Sequence, residues 1–83
     1  MLENIILNAR RNYEIISKII KNCRTKNELI NKVRQENVII DEYKDIVNII
    51  KDELKIVVSV KNEINIEKVL VFDENFEDYV NLF

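Results

Sequence analysis

Not one of the 83 residues is glycine or proline. Glycine adopts a positive φ without steric cost, and proline presets the corner of many turns. A chain lacking both must place its tight reversals on asparagine or aspartate, which tolerate left-handed backbone better than other side chains. Twelve asparagines make that feasible. The same absence excludes the glycine-rich loops that cradle phosphates, both the dinucleotide-binding type and the P-loop. Histidine is also absent and cysteine occurs once. A Ser–His or Cys–His pair cannot be assembled from this chain, and one thiol does not make a zinc site. A carboxylate-only Mg²⁺ or Ca²⁺ site stays open in principle. The expectation is a non-enzymatic protein with no cofactor and no metal.

A folded chain of 9.9 kDa exposes roughly 5,200 Å² and buries about two-thirds of its unfolded surface, enough for one core. One small domain over residues 1–83 is expected, and oligomerisation would widen its narrow stability margin. The lone Cys23 fits a reducing cytosol or a core thiol better than a disulfide scaffold. The start of the chain shows no basic segment followed by a long apolar one, and apolar runs such as Ile56-Val57-Val58 are too short to span a bilayer. These features give the expectation of a cytoplasmic protein without membrane contact. Fifteen isoleucines, twelve asparagines and nine lysines beside one alanine reflect AT-rich codons, as in an AT-rich bacterium or its phages. Charge is divided along the chain. Residues 1–40 carry eight basic and four acidic side chains, and residues 41–83 carry five and eleven.

Leu2, Ile6, Ala9, Tyr13, Ile16, Ile20 and Cys23 recur at alternating spacings of four and three. This heptad seam predicts a helix over 2–22. Ile5, Ile15 and Ile19 widen its apolar stripe. The stripe reads as core or, in part, as a self-association face carried by Ile6, Tyr13, Ile16 and Ile20. Arg10, Arg11, Lys18 and Lys21 lie mainly outside it as a basic patch. Thr25-Lys26-Asn27-Glu28 is a capping box that starts a second helix over 26–36. Asp41 would cap a third helix over 42–54, where Ile40, Tyr43, Val47, Ile50 and Leu54 keep the 3, 4 spacing.

Beyond Leu54 the period changes. Segments 55–60 and 64–72 are β-branched and read as the two strands of a hairpin, with Asn62 the expected positive-φ residue of its turn. One hairpin face would hold Ile64, Ile66, Leu70 and Phe72, and the other Val69 and Val71. In the acidic tail, Phe72, Phe76, Tyr79/Val80 and Phe83 recur at helical spacing. They predict a short C-terminal helix capped by Asp73 or Asn75.

The expected fold is therefore α+β, with about three helices, a β-hairpin and a short C-terminal helix. Its element order resembles a winged-helix DNA-binding domain, with residues 25–54 as the helix-turn-helix and 55–72 as the wing. That resemblance implies a DNA-binding transcriptional regulator, dimeric through the first helix. Against it, the third helix would present Asp41, Glu42, Asp45, Asp52 and Glu53 to phosphates. The basic patch has only Tyr13 among its cations, which does not support single-strand binding by stacking. A surface rich in carboxylates can instead imitate a phosphate track and occupy a basic channel on another protein. The leading expectation is a protein-binding module that acts by occupying a partner surface, with Glu42, Asp45, Asp52, Glu53, Glu77 and Asp78 as the contact residues. In scale it is similar to the small inhibitors encoded by phages and mobile elements, anti-CRISPR proteins among them. The partner would be a host nucleic-acid-handling protein with a basic surface, and the chain itself a homodimer. An antitoxin or adaptor is the remaining alternative.

Overall fold

The computed structural model describes residues 3–83, so Leu2 of the heptad seam lies outside the described residues. Two α-helices, α1 (Glu3–Lys21) and α2 (Lys26–Val33), are followed by a 3₁₀ turn at Arg34–Glu36. Five strands complete the described chain: β1 (Ile39–Tyr43), β2 (Ile46–Lys51), β3 (Leu54–Ser59), β4 (Asn65–Asp73) and β5 (Asp78–Asn81). They form one antiparallel sheet in sequence order, β1-β2-β3-β4-β5. The helices cover one of its faces.

α1 forms for the reason its sequence gives. Ala9, Ile16, Ile20 and Cys23 are buried along the seam, and Ile5, Ile6, Tyr13 and Ile19 pack at its margins. The helix ends at Asn22, whose side-chain amide donates to the Lys18 carbonyl at 2.9 Å. α2 starts as the capping box requires: the Thr25 hydroxyl accepts from the Glu28 N–H at 3.1 Å. The Glu28 carboxylate reaches one residue further back than in the usual box and accepts from the Arg24 N–H at 2.9 Å. Leu29, Ile30 and Val33 are buried beneath it.

The inner sheet face completes the core. Val47 and Ile49 of β2 face Val58 and Ile56 of β3, with Leu54 opposite Val71 of β4. All six are at most 2% exposed. Each buried aliphatic side chain of this kind stabilises by about 1.5–3 kcal/mol. On the outer face lie Tyr43, Ile46, Ile50, Val57 and Leu70, with Phe72 at its end against the Tyr79 ring.

The expectation of a third helix, a lone hairpin and a C-terminal helix is overturned. Residues 39–51 are the β1–β2 hairpin. Their 3, 4 apolar spacing is a by-product of β2 being apolar on both faces, which gives isoleucine and valine at nearly every position and hides a period of two. Six β-branched residues among Ile39, Ile40, Ile46, Val47, Ile49 and Ile50 favour the strand once a sheet is there to join. Asp41 is therefore a strand residue and caps no helix. With no helix after α2, the helix-turn-helix and the winged-helix order disappear together. The tail pairs as β5 with β4, Tyr79 opposite Phe72 and Val80 opposite Val71. Asp73 does act as a local cap, but of a turn: its carboxylate accepts from the Asn75 N–H at 2.9 Å.

The strands expected over 55–60 and 64–72 are β3 and β4, yet their faces differ from the simple alternation. A β-bulge between Val57 and Val58 skips Glu67 in the register. Ile66 is thereby moved to the inner face with Val69 and Val71, while Leu70 and Phe72 point outward. A bulge resets side-chain parity in this way wherever it occurs.

Candidate functional site: an acidic end of the sheet

Turn chemistry places the carboxylates. The β2–β3 reversal is a two-residue loop, Asp52-Glu53, between the paired Lys51 and Leu54. Asp52 takes the positive φ, 52°, as aspartate can. The β4–β5 reversal runs from Asp73 to the paired Asp78, with Glu77 at φ 51°. Antiparallel meandering brings these two loops to the same end of the sheet. The last residues of β4 meet the β2–β3 loop, where the Phe72 N–H donates to the Glu53 carbonyl at 2.8 Å.

Between them opens a cleft of about 500 Å³ lined by Ile5, Glu53, Phe72, Glu74 and Glu77. Ile5 comes from the first turns of α1 and Phe72 from the end of β4, so the walls are apolar and the rim is acidic. Phe76 projects from the β4–β5 loop and is 72% exposed. The nearest cation in sequence, Lys51, is engaged elsewhere: its ammonium donates to the Glu36 carbonyl at the end of the 3₁₀ turn. The carboxylates do not converge on a point. Among the described residues, no group of three or more is placed to hold a metal ion. The arrangement suits a cationic side chain with an aliphatic or planar stem, which could lie against Ile5 and Phe72 with its charge at the rim.

Of the six expected partner contacts, the structure gathers Asp52, Glu53, Glu77 and Asp78 here. It separates the other two. Glu42 sits on the helix side of edge strand β1 and forms an ion pair with Lys26 at 2.6 Å, tying β1 to the start of α2. Asp45 lies in the β1–β2 turn at the opposite end, where its carbonyl accepts from the Val60 N–H at 2.8 Å. Sequence reasoning missed Glu74, Phe72 and Ile5 as parts of one site. A strand reading of the tail would have put Glu74 and Glu77 in a turn beside Asp52-Glu53.

The four residues expected to mediate self-association divide as well. Ile16 and Ile20 are 1% and 2% exposed inside one chain, so they serve its own core. Ile6 and Tyr13 are half-buried, and the Tyr13 ring meets Phe83 edge-on at 5.1 Å. Arg10, Arg11, Lys18 and Lys21 are all exposed, with Lys21 beside residues 64–69. The Arg10 guanidinium lies 5.9 Å from the Phe83 ring. No helix among the described residues is long and apolar enough to cross a membrane. Compared with protein-family models, curated proteins and solved structures, the chain shows no match.

Proposed function

We propose that the chain is a non-enzymatic protein-binding module that seats a basic surface of a partner on the acidic end of its sheet. The observation that carries this reading is the cleft in which Glu53, Glu74 and Glu77 rim an apolar floor of Ile5 and Phe72. Carboxylates held on two neighbouring turns act on the approach of a basic partner through long-range attraction. The exposed Phe76 beside them offers an apolar contact once the partner arrives. The partner class we favour is a nucleic-acid-handling protein, whose basic track the carboxylates would occupy in place of phosphates. The AT-rich residue usage supports a phage or mobile-element inhibitor working in a bacterial cytoplasm.

The test compares capture from a bacterial extract by the wild-type chain and by a Glu53→Gln, Glu74→Gln, Glu77→Gln variant. A protein retained by the wild type, released by moderate salt and absent from the variant's eluate supports the reading. The same captured set from both chains, or retardation of duplex DNA by the purified wild type, overturns it.

A further inference from the structure

The two edges of the sheet are finished differently. At one edge the short β5 pairs with Leu70–Asp73, and the stretch of β4 beyond it carries the bulge with the charged Glu67 and Lys68. Short strands, bulges and lysine all blunt an edge against further pairing. β1, at the other edge, has no such protection. Its register with β2 runs without a shift from Ile39 opposite Ile50 to Tyr43 opposite Ile46, and it contains neither lysine nor proline. The Val60 N–H donates to the Asp45 carbonyl at 2.8 Å. Alternation from Asp45 turns the main-chain groups of Val47 and Ile49 toward β3, and those of Ile46, Asn48 and Ile50 toward β1. Their partners Tyr43, Asp41 and Ile39 bond inward, so the N–H and C=O of Ile40 and Glu42 point out from the open edge. The side chains sort in the same way. Glu42, on the helix side, is held by Lys26. Ile39, Asp41 and Tyr43 lie on the outer side, and Ile39 and Tyr43 are both 67% exposed. Among the described residues no cation pairs with Asp41 between them.

We propose that β1 is the docking edge for an extended peptide of a partner protein, which adds antiparallel as a sixth strand and carries a cationic residue at its centre. Strand addition satisfies the open main-chain groups, and alternate side chains supply the specificity. Two residues of the incoming strand form hydrogen-bonded pairs with Ile40 and Glu42. The residue between them faces Asp41 in a non-hydrogen-bonded pair, where Cα atoms approach to about 4.5 Å and side chains are closest. A cation there is favoured and a carboxylate is repelled. Apolar residues on either side of it in the outer row meet Ile39 and Tyr43. The same geometry argues against a second copy of the chain. Antiparallel pairing of β1 with its own mate at full overlap sets Asp41 against Asp41, a like-charge pair that destabilises.

The test is an amide-resolved NMR titration of the full-length chain with an end-capped peptide whose core is Ile-Thr-Arg-Val-Ile. At about 1 mM peptide the amides of Ile40 and Glu42 should shift and their hydrogen exchange should slow. N-methylation of the peptide's threonine or valine, whose N–H groups face β1, should abolish binding, whereas N-methylation of its arginine should not. Asp41→Lys, checked for an otherwise unchanged spectrum, should weaken binding about fivefold or more and should favour a peptide with glutamate in place of arginine. Unmoved β1 amides overturn the proposal. So does binding indifferent to which peptide nitrogen is methylated, or protection of Ile40 and Glu42 that appears without peptide as protein concentration rises, the mark of a second copy. None of these residues lines the acidic cleft. A peptide that shifts only the amides around Glu53, Glu74 and Glu77 therefore overturns docking at β1 and leaves the proposed function standing.

Discussion

Without glycine, four of the described residues carry the left-handed backbone: Asn37, Lys44, Asp52 and Glu77. Asparagine and aspartate hold two of these positions, as composition leads one to expect. Lysine and glutamate hold the other two, where Cβ crowds the following carbonyl and no short polar side chain offsets the cost by a local hydrogen bond. Lys44→Asn should therefore stabilise the chain by about 0.5–1 kcal/mol, read as a higher urea midpoint at unchanged slope. Asn62, the expected turn residue of the β3–β4 connection, has no positive φ. Asn62→Ala should stay within about 0.5 kcal/mol of the wild type. Cys23 supplies a second residue-scale prediction. Burial pushes its thiol up, with Lys32 drawing it partly back and Glu28 adding to the rise. Folding thus favours the protonated thiol. That contribution is complete below the unfolded thiol pKa of about 8.5 and is lost as pH rises through the higher folded value. Denaturant midpoints should fall on the alkaline side more steeply for the wild type than for Cys23→Ala, and equal slopes would show that the thiol contributes nothing.

At the scale of elements, legibility followed amphipathic contrast. α1 and the start of α2 were readable because one face is apolar and the other charged, and because Thr25 and Glu28 mark a boundary. β3 and β4 were readable from β-branched runs flanking polar turn residues. β1, β2 and β5 were not, for two physical reasons. β2 is apolar on both faces, so its pattern fits either period. β5 is four residues long and gains its conformation from pairing with β4, a contact distant from local propensity. The acidic site was legible as a set of carboxylates, but its assembly depends on which turns share an end of the sheet. The contribution of β5 can be tested. Its pairing places Val80 against the core, and Leu82 beyond it is 8% exposed, with its N–H donating to the Val69 carbonyl at 3.0 Å. Ending the chain after Asp73 removes these contacts and leaves the long edge of β4 unpaired. Leu82→Ala alone should cost about 2–5 kcal/mol, and the truncation more, with association through the bared edge at higher concentration. A truncated chain that melts like the full one would make the tail dispensable to the fold.

Over the whole molecule the division of charge along the sequence becomes a division in space. The cations of α1 are spread along its exposed surface, and the carboxylates of two turns collect at one end of the sheet. Part of this acidic end has a structural use, since Ile5 in the cleft belongs to the first turns of α1 and negative charge near a helix N-terminus is favourable by about 0.3–1 kcal/mol. That magnitude separates the two roles. Neutralising Glu53, Glu74 and Glu77 should lower stability by no more than about 1–2 kcal/mol, leaving the chain folded. Its effect on a basic partner should be larger and kinetic. Association of exposed charges depends on long-range attraction that is screened over about 8 Å at physiological salt, so the wild-type on-rate should fall steeply as salt is added. The neutralised variant should start about tenfold or more slower at low salt and show a flatter salt dependence, with a smaller change in off-rate. Stopped-flow association at several ionic strengths reads both slopes, and parallel slopes would confine these carboxylates to holding the end of α1.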